Sequence, residues 1–86
     1  MNWSASYARS VESDITKLPA DLRDRFISAL EQILANPFVG KKLKGSKDRY
    51  SVRMGRDFRI VYTVFKKERV VDIEFVGDRK DAYRWL

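Results

Sequence analysis

The sequence predicts a small α+β domain in which an N-terminal strand and a two-helix hairpin precede an antiparallel three-stranded meander. Two observations predict this class. Apolar residues recur at helical spacing between residues 8 and 36, whereas from Tyr50 onward they alternate with polar residues, as in strands. The chain of 86 residues is also long enough for one domain and too short for two, so residues 1–86 should fold as a single unit.

The first half of the chain predicts one short strand and two helices. Residues 2–7 alternate weakly and fit an edge strand. A helix is expected over residues 8–18, ended by Pro19, and a second should begin with Asp21 as its N-cap and stop before Pro37. The second helix carries the clearest apolar stripe of the chain: Leu22, Phe26, Leu30, Ile33 and Leu34.

The second half predicts three strands joined by short turns, after a connection over residues 37–49 that is rich in glycine and lysine. The strands are Tyr50–Met54, Phe58–Phe65 and Arg69–Val76. Alternation assigns one face of each strand to the core, namely Tyr50, Val52, Met54, Phe58, Ile60, Tyr62, Val64, Val71, Ile73 and Phe75. The two helices should cover this face and leave the opposite face of the sheet open.

The first hairpin brings two arginines together on that open face. A three-residue loop, Gly55-Arg56-Asp57, keeps every core residue on the core side and sets Arg53 directly opposite Arg59. Like charges directly opposite each other destabilise a sheet. Because the pair brings no stability, an anionic ligand is the expected reason for it.

The second hairpin is expected to turn at Lys67-Glu68 and to extend the same cluster. Its register pairs Ile60 with Phe75 and places Arg59 opposite Val76. Arg79 then emerges just beyond the end of the last strand. Arginine binds phosphate through a planar, permanently charged guanidinium group that can donate two hydrogen bonds at once. Three converging arginines therefore predict a phosphate site.

The last ten residues should fold back onto the sheet. Gly77 frees the chain after the last strand, and the following residues are too charged to continue a buried strand. Trp85 or Leu86 is expected to anchor the tail, with Arg79 and Tyr83 facing the arginine edge.

Composition narrows the class of function. The net charge is +6, and it is concentrated after residue 40, where 14 basic residues accompany seven acidic ones, against four and five before. A basic half on a small domain is typical of a protein that binds nucleic acid. The chain contains neither cysteine nor histidine, so no metal site and no cofactor is expected, and a cytoplasmic location is favoured. No stretch is apolar enough for a membrane span.

Three segments resemble the RelE/ParE superfamily of toxins from toxin–antitoxin systems. They are Asn36-Pro37 followed by Lys41–Gly45, then Tyr50–Tyr62, and finally Val76–Tyr83. The resemblance covers nearly the whole chain and implies the RelE/ParE fold. It also implies a toxin with a cognate antitoxin as its partner. The C-terminal tyrosine favours the RelE branch, whose members are ribosome-dependent endoribonucleases that cut mRNA.

The resemblance implies four catalytic residues, namely Arg53, Arg59, Arg79 and Tyr83. RNA is cut when its own 2′-hydroxyl attacks the adjacent phosphate, which requires a proton acceptor, a proton donor and stabilisation of added charge. Arg53 and Arg59 would stabilise the phosphate, and Arg79 would do the same or assist the leaving group. Tyr83 would act as the base or stack on a nucleobase, although simple packing of the tail is an equal alternative.

Other basic side chains are candidates for contact with ribosomal RNA or mRNA, namely Lys41, Lys42, Lys44, Lys47 and Arg56. Two other functions remain open at this stage. One is inhibition of DNA gyrase by protein contact, as in the ParE branch, and the other is non-catalytic RNA binding by the same fold.

Overall fold

The structure, a computed structural model, describes residues 2–45 and 48–85 and confirms the α+β class. In chain order the elements are β1 (Ser4–Tyr7), α1 (Arg9–Thr16), α2 (Ala20–Ala35), β2 (Lys41–Lys42), β3 (Arg49–Met54), β4 (Phe58–Phe65), β5 (Val70–Asp78) and a C-terminal 3-10 helix (Arg79–Trp85). Among the described residues, neither helix has the length and apolar character needed to cross a membrane.

The strands form one five-stranded sheet in the order β1-β5-β4-β3-β2. The predicted meander of β3, β4 and β5 is antiparallel, and β1 lies parallel to β5 at one edge. Strand β2 was not predicted, since residues 37–49 were expected to be a plain connection. It consists of Lys41 and Lys42, which pair with Ser51 and Tyr50. Two adjacent lysines show no alternation, so only their pairing with β3 makes them a strand.

Helices α1 and α2 pack on the predicted face of the sheet and form the core with it. The core contains Val11, Leu18, Phe26, Ala29, Ile33, Tyr50, Met54, Ile60, Tyr62, Val64, Val71, Ile73 and Val76. Burial of these side chains is the main source of stability, since each large apolar side chain contributes about 1.5–3 kcal/mol when it leaves water.

The helix ends differ from the prediction by a few residues. Helix α1 ends at Thr16 with Lys17 as its C-cap, so Pro19 does not end it. Pro19 is instead the N-cap of α2, and Asp21 lies within the first turn without making a side-chain cap. Proline is tolerated there because the φ of −56° is one that its ring imposes and the position needs no N–H partner. Asp21 still interacts favourably there with the positive end of the helix dipole.

A β-bulge in β5 changes the predicted register of the second hairpin. Tyr62 pairs with Ile73 as expected, but Val61 pairs with Phe75, so Glu74 is an extra residue on β5. An extra residue shifts every later side chain to the other face. Val76 therefore enters the core at 2% exposure, and Phe75 leaves it.

Two predicted pairs are consequently wrong. Ile60 pairs with Val76 rather than with Phe75, and Arg59 faces Gly77 rather than Val76. The strand also continues through Gly77 to Asp78 instead of ending before it. These corrections all follow from the single bulge, because β4 and the first half of β5 keep the predicted register.

Glu74, the extra residue at the bulge, makes two side-chain contacts. Glu74 Oε1 accepts a hydrogen bond from Arg49 Nε at 2.9 Å and another from Thr63 Oγ1 at 2.9 Å. The charged contact is partly buried, which makes it stronger than an ion pair in water. Both partners lie on the sheet face away from the helices, and the Glu74 side chain lies on that face with them.

The face predicted to be open is partly covered. Ser51 is 3% exposed, and both Val61 and Ala82 are fully buried although they lie outside the main core. The C-terminal 3-10 helix, which contains Ala82, packs against β4 and β5. The tail therefore folds back as predicted, and Ala82 is a buried contact that the sequence did not single out. Leu86 and the side chain of Trp85, the expected anchors, lie outside the described residues.

Tyr62 ties the segment between α2 and β2 to the centre of the sheet. Its buried hydroxyl donates to the Pro37 carbonyl oxygen at 2.7 Å and accepts a hydrogen bond from the Gly40 backbone. Burial raises the pKa of Tyr62 to about 12, and the hydrogen bond from Gly40 opposes that rise. The neutral phenol is therefore the form that the fold stabilises.

We expect Tyr62→Phe to lower the free energy of unfolding by about 1–3 kcal/mol at neutral pH, because two backbone groups lose their partner. The deficit should shrink as the pH rises from 10 toward 12. In that range the unfolded tyrosine loses its proton before the folded one, so the wild type loses stability and the phenylalanine variant does not. Urea unfolding at pH 8, 10 and 11.5 measures the difference. Tyr7→Phe, at an exposed tyrosine, is the control and should show neither effect. A pH-independent deficit would contradict the pKa shift.

Candidate functional site

The site face is defined here as the sheet face away from α1 and α2. Strands β3 and β4 place Arg53 directly opposite Arg59 on this face, and Arg59 in turn lies opposite Gly77 on β5. The predicted register of the first hairpin is thereby confirmed. Directly opposed residues are about 4.5–5.5 Å apart at their Cα atoms, so both arginine side chains start from the same part of the sheet.

The guanidinium of Arg59 is oriented by a neighbouring side chain. Its Nη1 atom lies 3.3 Å from Ser51 Oγ, and the Arg59 residue is half-buried. The serine hydroxyl accepts this hydrogen bond and leaves the other guanidinium donors for a ligand. Arg53, in contrast, is exposed. The pair thus consists of one oriented arginine and one that is open to solvent.

The chain reversal after β5 brings Arg79 to the same end of the sheet. Its backbone N–H donates to the carbonyl of Asp57 in the β3–β4 turn, and its side chain is exposed. Asp78 supports the reversal, because its Oδ1 atom accepts the Lys80 N–H at 3.0 Å. Tyr83 belongs to the same 3-10 helix by its backbone, and its side chain lies outside the described residues.

Charge is distributed unevenly along the site face. Arg49, at the other end of β3, is paired with Glu74. In residues 2–45 and 48–85, by comparison, Arg53, Arg59 and Arg79 form no ion pair with any carboxylate. The positive charge at the β3–β4 turn is therefore available to an anion, whereas that of Arg49 serves the fold.

Phe75 is a site-face residue that the sequence assigned to the core. A methyl group on Gly77 would lie 2.9 Å from Phe75 Cζ, so the ring occupies the space over Gly77, beside Arg59. The signal was present in the sequence as two adjacent apolar residues, Phe75 and Val76, which interrupt the alternation of β5. Two adjacent apolar residues in a strand indicate a β-bulge when both side chains have to be shielded from water.

The remaining predicted RNA contacts do not form one cluster. Lys41 pairs with Ser51 and so lies on the site face, whereas Lys42 pairs with Tyr50 and lies on the helix side of the sheet. Lys44 is exposed in the following turn, and Lys47 lies outside the described residues. Arg56 is exposed at the β3–β4 turn and lines a shallow cavity beside α2.

The arrangement suits electrostatic stabilisation of a phosphate. Arginine remains charged at any physiological pH and donates several hydrogen bonds from a planar group. Three arginines at one end of a sheet provide positive charge for a phosphate.

Comparisons with known proteins agree with this fold. The family model for the ParE toxin of the type II toxin–antitoxin system parDE matches residues 5–83. A Methanocaldococcus jannaschii protein named as toxin RelE1 is 32% identical over 98% of both chains.

Solved RelE structures have the same architecture. A mutant of the Escherichia coli toxin RelE in the free state superposes with a TM-score of 0.85 at 23% identity, covering 99% of this chain and 92% of that one. The RelE of the archaeal RelE–RelB complex from Pyrococcus horikoshii gives a TM-score of 0.79 at 26% identity, covering 92% and 97%. The chain therefore belongs to the ParE toxin family, within the RelE/ParE superfamily of toxins from toxin–antitoxin pairs.

Proposed function

We propose that this toxin is a ribosome-dependent endoribonuclease that cleaves mRNA. The observation that carries the proposal is the pair of Arg53 and Arg59, directly opposed on the site face and without a carboxylate partner among the described residues. The pair costs the sheet roughly 0.2–1 kcal/mol in repulsion, so a bound phosphate is the natural compensation. Arg79 adds a third charge at the same end.

The reaction is an attack by the 2′-hydroxyl of the RNA on the adjacent phosphorus. The 2′-oxygen forms a bond to phosphorus and gives up its proton, while the bond from phosphorus to the 5′-oxygen breaks and that oxygen gains a proton. The products are a 2′,3′-cyclic phosphate and a 5′-hydroxyl. Arg53 and Arg59 stabilise the added phosphate charge, Arg79 assists at the phosphate or the leaving oxygen, and Tyr83 accepts the proton or stacks on a base.

Dependence on the ribosome follows from the chemistry of this set. Arginine and tyrosine side chains ordinarily titrate far above pH 7, so they are weak acid–base catalysts on their own. A ribosome that holds the mRNA in a reactive geometry contributes what they lack, because orientation alone lowers a barrier by as much as ~7–11 kcal/mol. Action on translating ribosomes also implies a cytoplasmic location for the protein.

The same proposal includes an antitoxin that neutralises the protein. The relatives include RelE in complex with RelB from Escherichia coli and from Pyrococcus horikoshii. A partner rich in acidic residues would complement the net charge of +7 that the residues after position 40 carry. Co-expression with the neighbouring gene product and analysis of the purified complex tests this partner.

A second candidate is inhibition of DNA gyrase by protein contact. The observation that favours it is the family match, since the matching model describes the ParE toxin. Binding of RNA by the same fold without catalysis is the remaining alternative.

One experiment separates these functions. Purified protein is incubated with ribosomes translating a defined mRNA, and the 5′ ends of the RNA are mapped; in parallel, gyrase supercoiling is assayed with the same preparation. We expect new 5′-hydroxyl ends on the mRNA only when ribosomes are present, with unchanged supercoiling. Loss of supercoiling with intact mRNA would favour gyrase as the target, and ribosome binding without either effect would favour the non-catalytic module.

A further inference from the structure

Lys41 differs from its neighbour Lys42 in the face of the sheet on which it lies. In the ladder between β2 and β3, Lys41 is directly opposite Ser51, whereas Lys42 is directly opposite Tyr50. Residues opposed in this way point to the same side of the sheet. Lys41 thus shares the site face with Arg59, while Lys42 shares the helix side with the core residue Tyr50.

The hydrogen bond of Arg59 brings its guanidinium toward Lys41. Arg59 Nη1 is 3.3 Å from Ser51 Oγ, and Ser51 is the residue that pairs with Lys41. Neighbouring strands are about 4.8 Å apart, and the four-carbon stem of lysine is flexible and long enough to cross that gap. Lys41 is exposed, and within the described part of the chain it forms no ion pair.

Close packing fixes the register that separates the two lysines. A methyl group on Gly40 would lie 2.8 Å from the Ser51 carbonyl oxygen and 2.7 Å from Tyr62 Oη, so only glycine fits there. Tyr62 also holds the Pro37 carbonyl oxygen at 2.7 Å. Strand β2 therefore cannot shift by one residue, a change that would exchange the faces of Lys41 and Lys42.

We propose that Lys41 is a further catalytic residue, which contacts the scissile phosphate from the β2 side while Arg53 and Arg59 contact it from β3 and β4. This inference rests on the proposed endoribonuclease function and deepens it. Lys41 is a point charge for the negative charge that develops on the phosphate oxygens, and it transfers no proton. Lys42 has no part in this site and contributes at most to general attraction for RNA.

The test compares Lys41→Ala with Lys42→Ala, two variants that remove the same charge from adjacent exposed residues. Saturating toxin is mixed with programmed ribosomes, and the single-turnover rate of mRNA cleavage is measured separately from the affinity for the ribosome. We expect Lys41→Ala to lower the cleavage rate by about 10²-fold, as for loss of one donor to a developing oxyanion, with an affinity change below about threefold. Lys42→Ala should cleave within about twofold of the wild type. Lys41→Arg should recover most of the rate, since it retains the charge.

The outcomes distinguish this inference from the proposed function. Both alanine variants could cleave mRNA as fast as the wild type, or both could lose only affinity for the ribosome. Either result would overturn the role of Lys41 and leave the endoribonuclease function intact. A wild type that never cleaves would overturn the proposed function. In that case, NMR titration with a short RNA carrying one 2′-deoxy sugar still tests whether Lys41 binds RNA phosphate. Larger amide shifts at Lys41 than at Lys42 would support a phosphate site, and equal or absent shifts would overturn it.

Discussion

Arg59→Ala should reduce ribosome-dependent mRNA cleavage by about 10²–10³-fold while the protein remains folded. Arg59 is the arginine that a neighbouring hydroxyl orients, with Nη1 3.3 Å from Ser51 Oγ, so in the proposed site its guanidinium would be oriented before a phosphate binds. Loss of one oriented donor to a developing oxyanion has an effect of this size. Cleavage of mRNA on translating ribosomes and growth after induction in cells both measure it.

The stability of the Arg59→Ala variant should stay within about 1 kcal/mol of the wild type. Removal of the residue loses one hydrogen bond to Ser51, but it also relieves repulsion from Arg53 directly opposite. Arg56→Ala is the matched control, since it removes an exposed arginine only three residues away, beside α2. It should cleave nearly as fast as the wild type. Full activity of the Arg59→Ala variant would contradict the phosphate-site hypothesis. An unfolded variant would show that Arg59 has a structural role.

Removal of Tyr83–Leu86 is expected to lower cleavage by about 10²–10⁴-fold and to change ribosome affinity by much less. The deletion removes Tyr83, the candidate proton acceptor, and a general base typically contributes this much to a rate. Arg53, Arg59 and the exposed lysines remain and continue to supply attraction for RNA phosphate. Single-turnover cleavage and ribosome co-sedimentation, measured on the same preparation, separate the two effects.

Two further measurements assign the cause of that loss. Tyr83→Phe removes only the hydroxyl, so it should reproduce most of the loss in cleavage if Tyr83 is the base and little of it if the ring stacks on a nucleobase. The deletion also shortens the helix whose Ala82 is buried against the sheet, so thermal unfolding must accompany it. Equal losses of affinity and cleavage would show that the tail is a docking element, and unchanged cleavage would remove Tyr83 from the mechanism.

The arginine pair illustrates how far local sequence determines a site. A three-residue loop joins β3 to β4, so the register of the hairpin follows from the loop length and the alternation of apolar residues. Every residue that this prediction uses lies within the hairpin. Arg53 opposite Arg59 was therefore predictable, as were α2, whose apolar stripe is regular, and the core face of β4.

The bulge at Glu74 shows where that reasoning fails. Its two hydrogen-bond partners, Arg49 and Thr63, are 25 and 11 residues away along the chain. Strict alternation does not allow for an extra residue, so the prediction continued the register past Glu74 and placed Phe75 in the core. The structure places Val76 there instead, and this exchange of faces sets Gly77 opposite Arg59 with the ring of Phe75 over it.

The sequence by itself determined the α+β class, the charge of the second half, the arginine pair and the return of the tail to the sheet. Each of these depends on composition or on neighbours within a few residues. Only the tertiary structure decided that Lys41 and Lys42 form a strand and that Lys41 is the one on the site face, because two residues have no periodicity of their own. Their faces are set by pairing with β3 and by the contact of Gly40 with Tyr62, which is distant in sequence and close only in the folded chain.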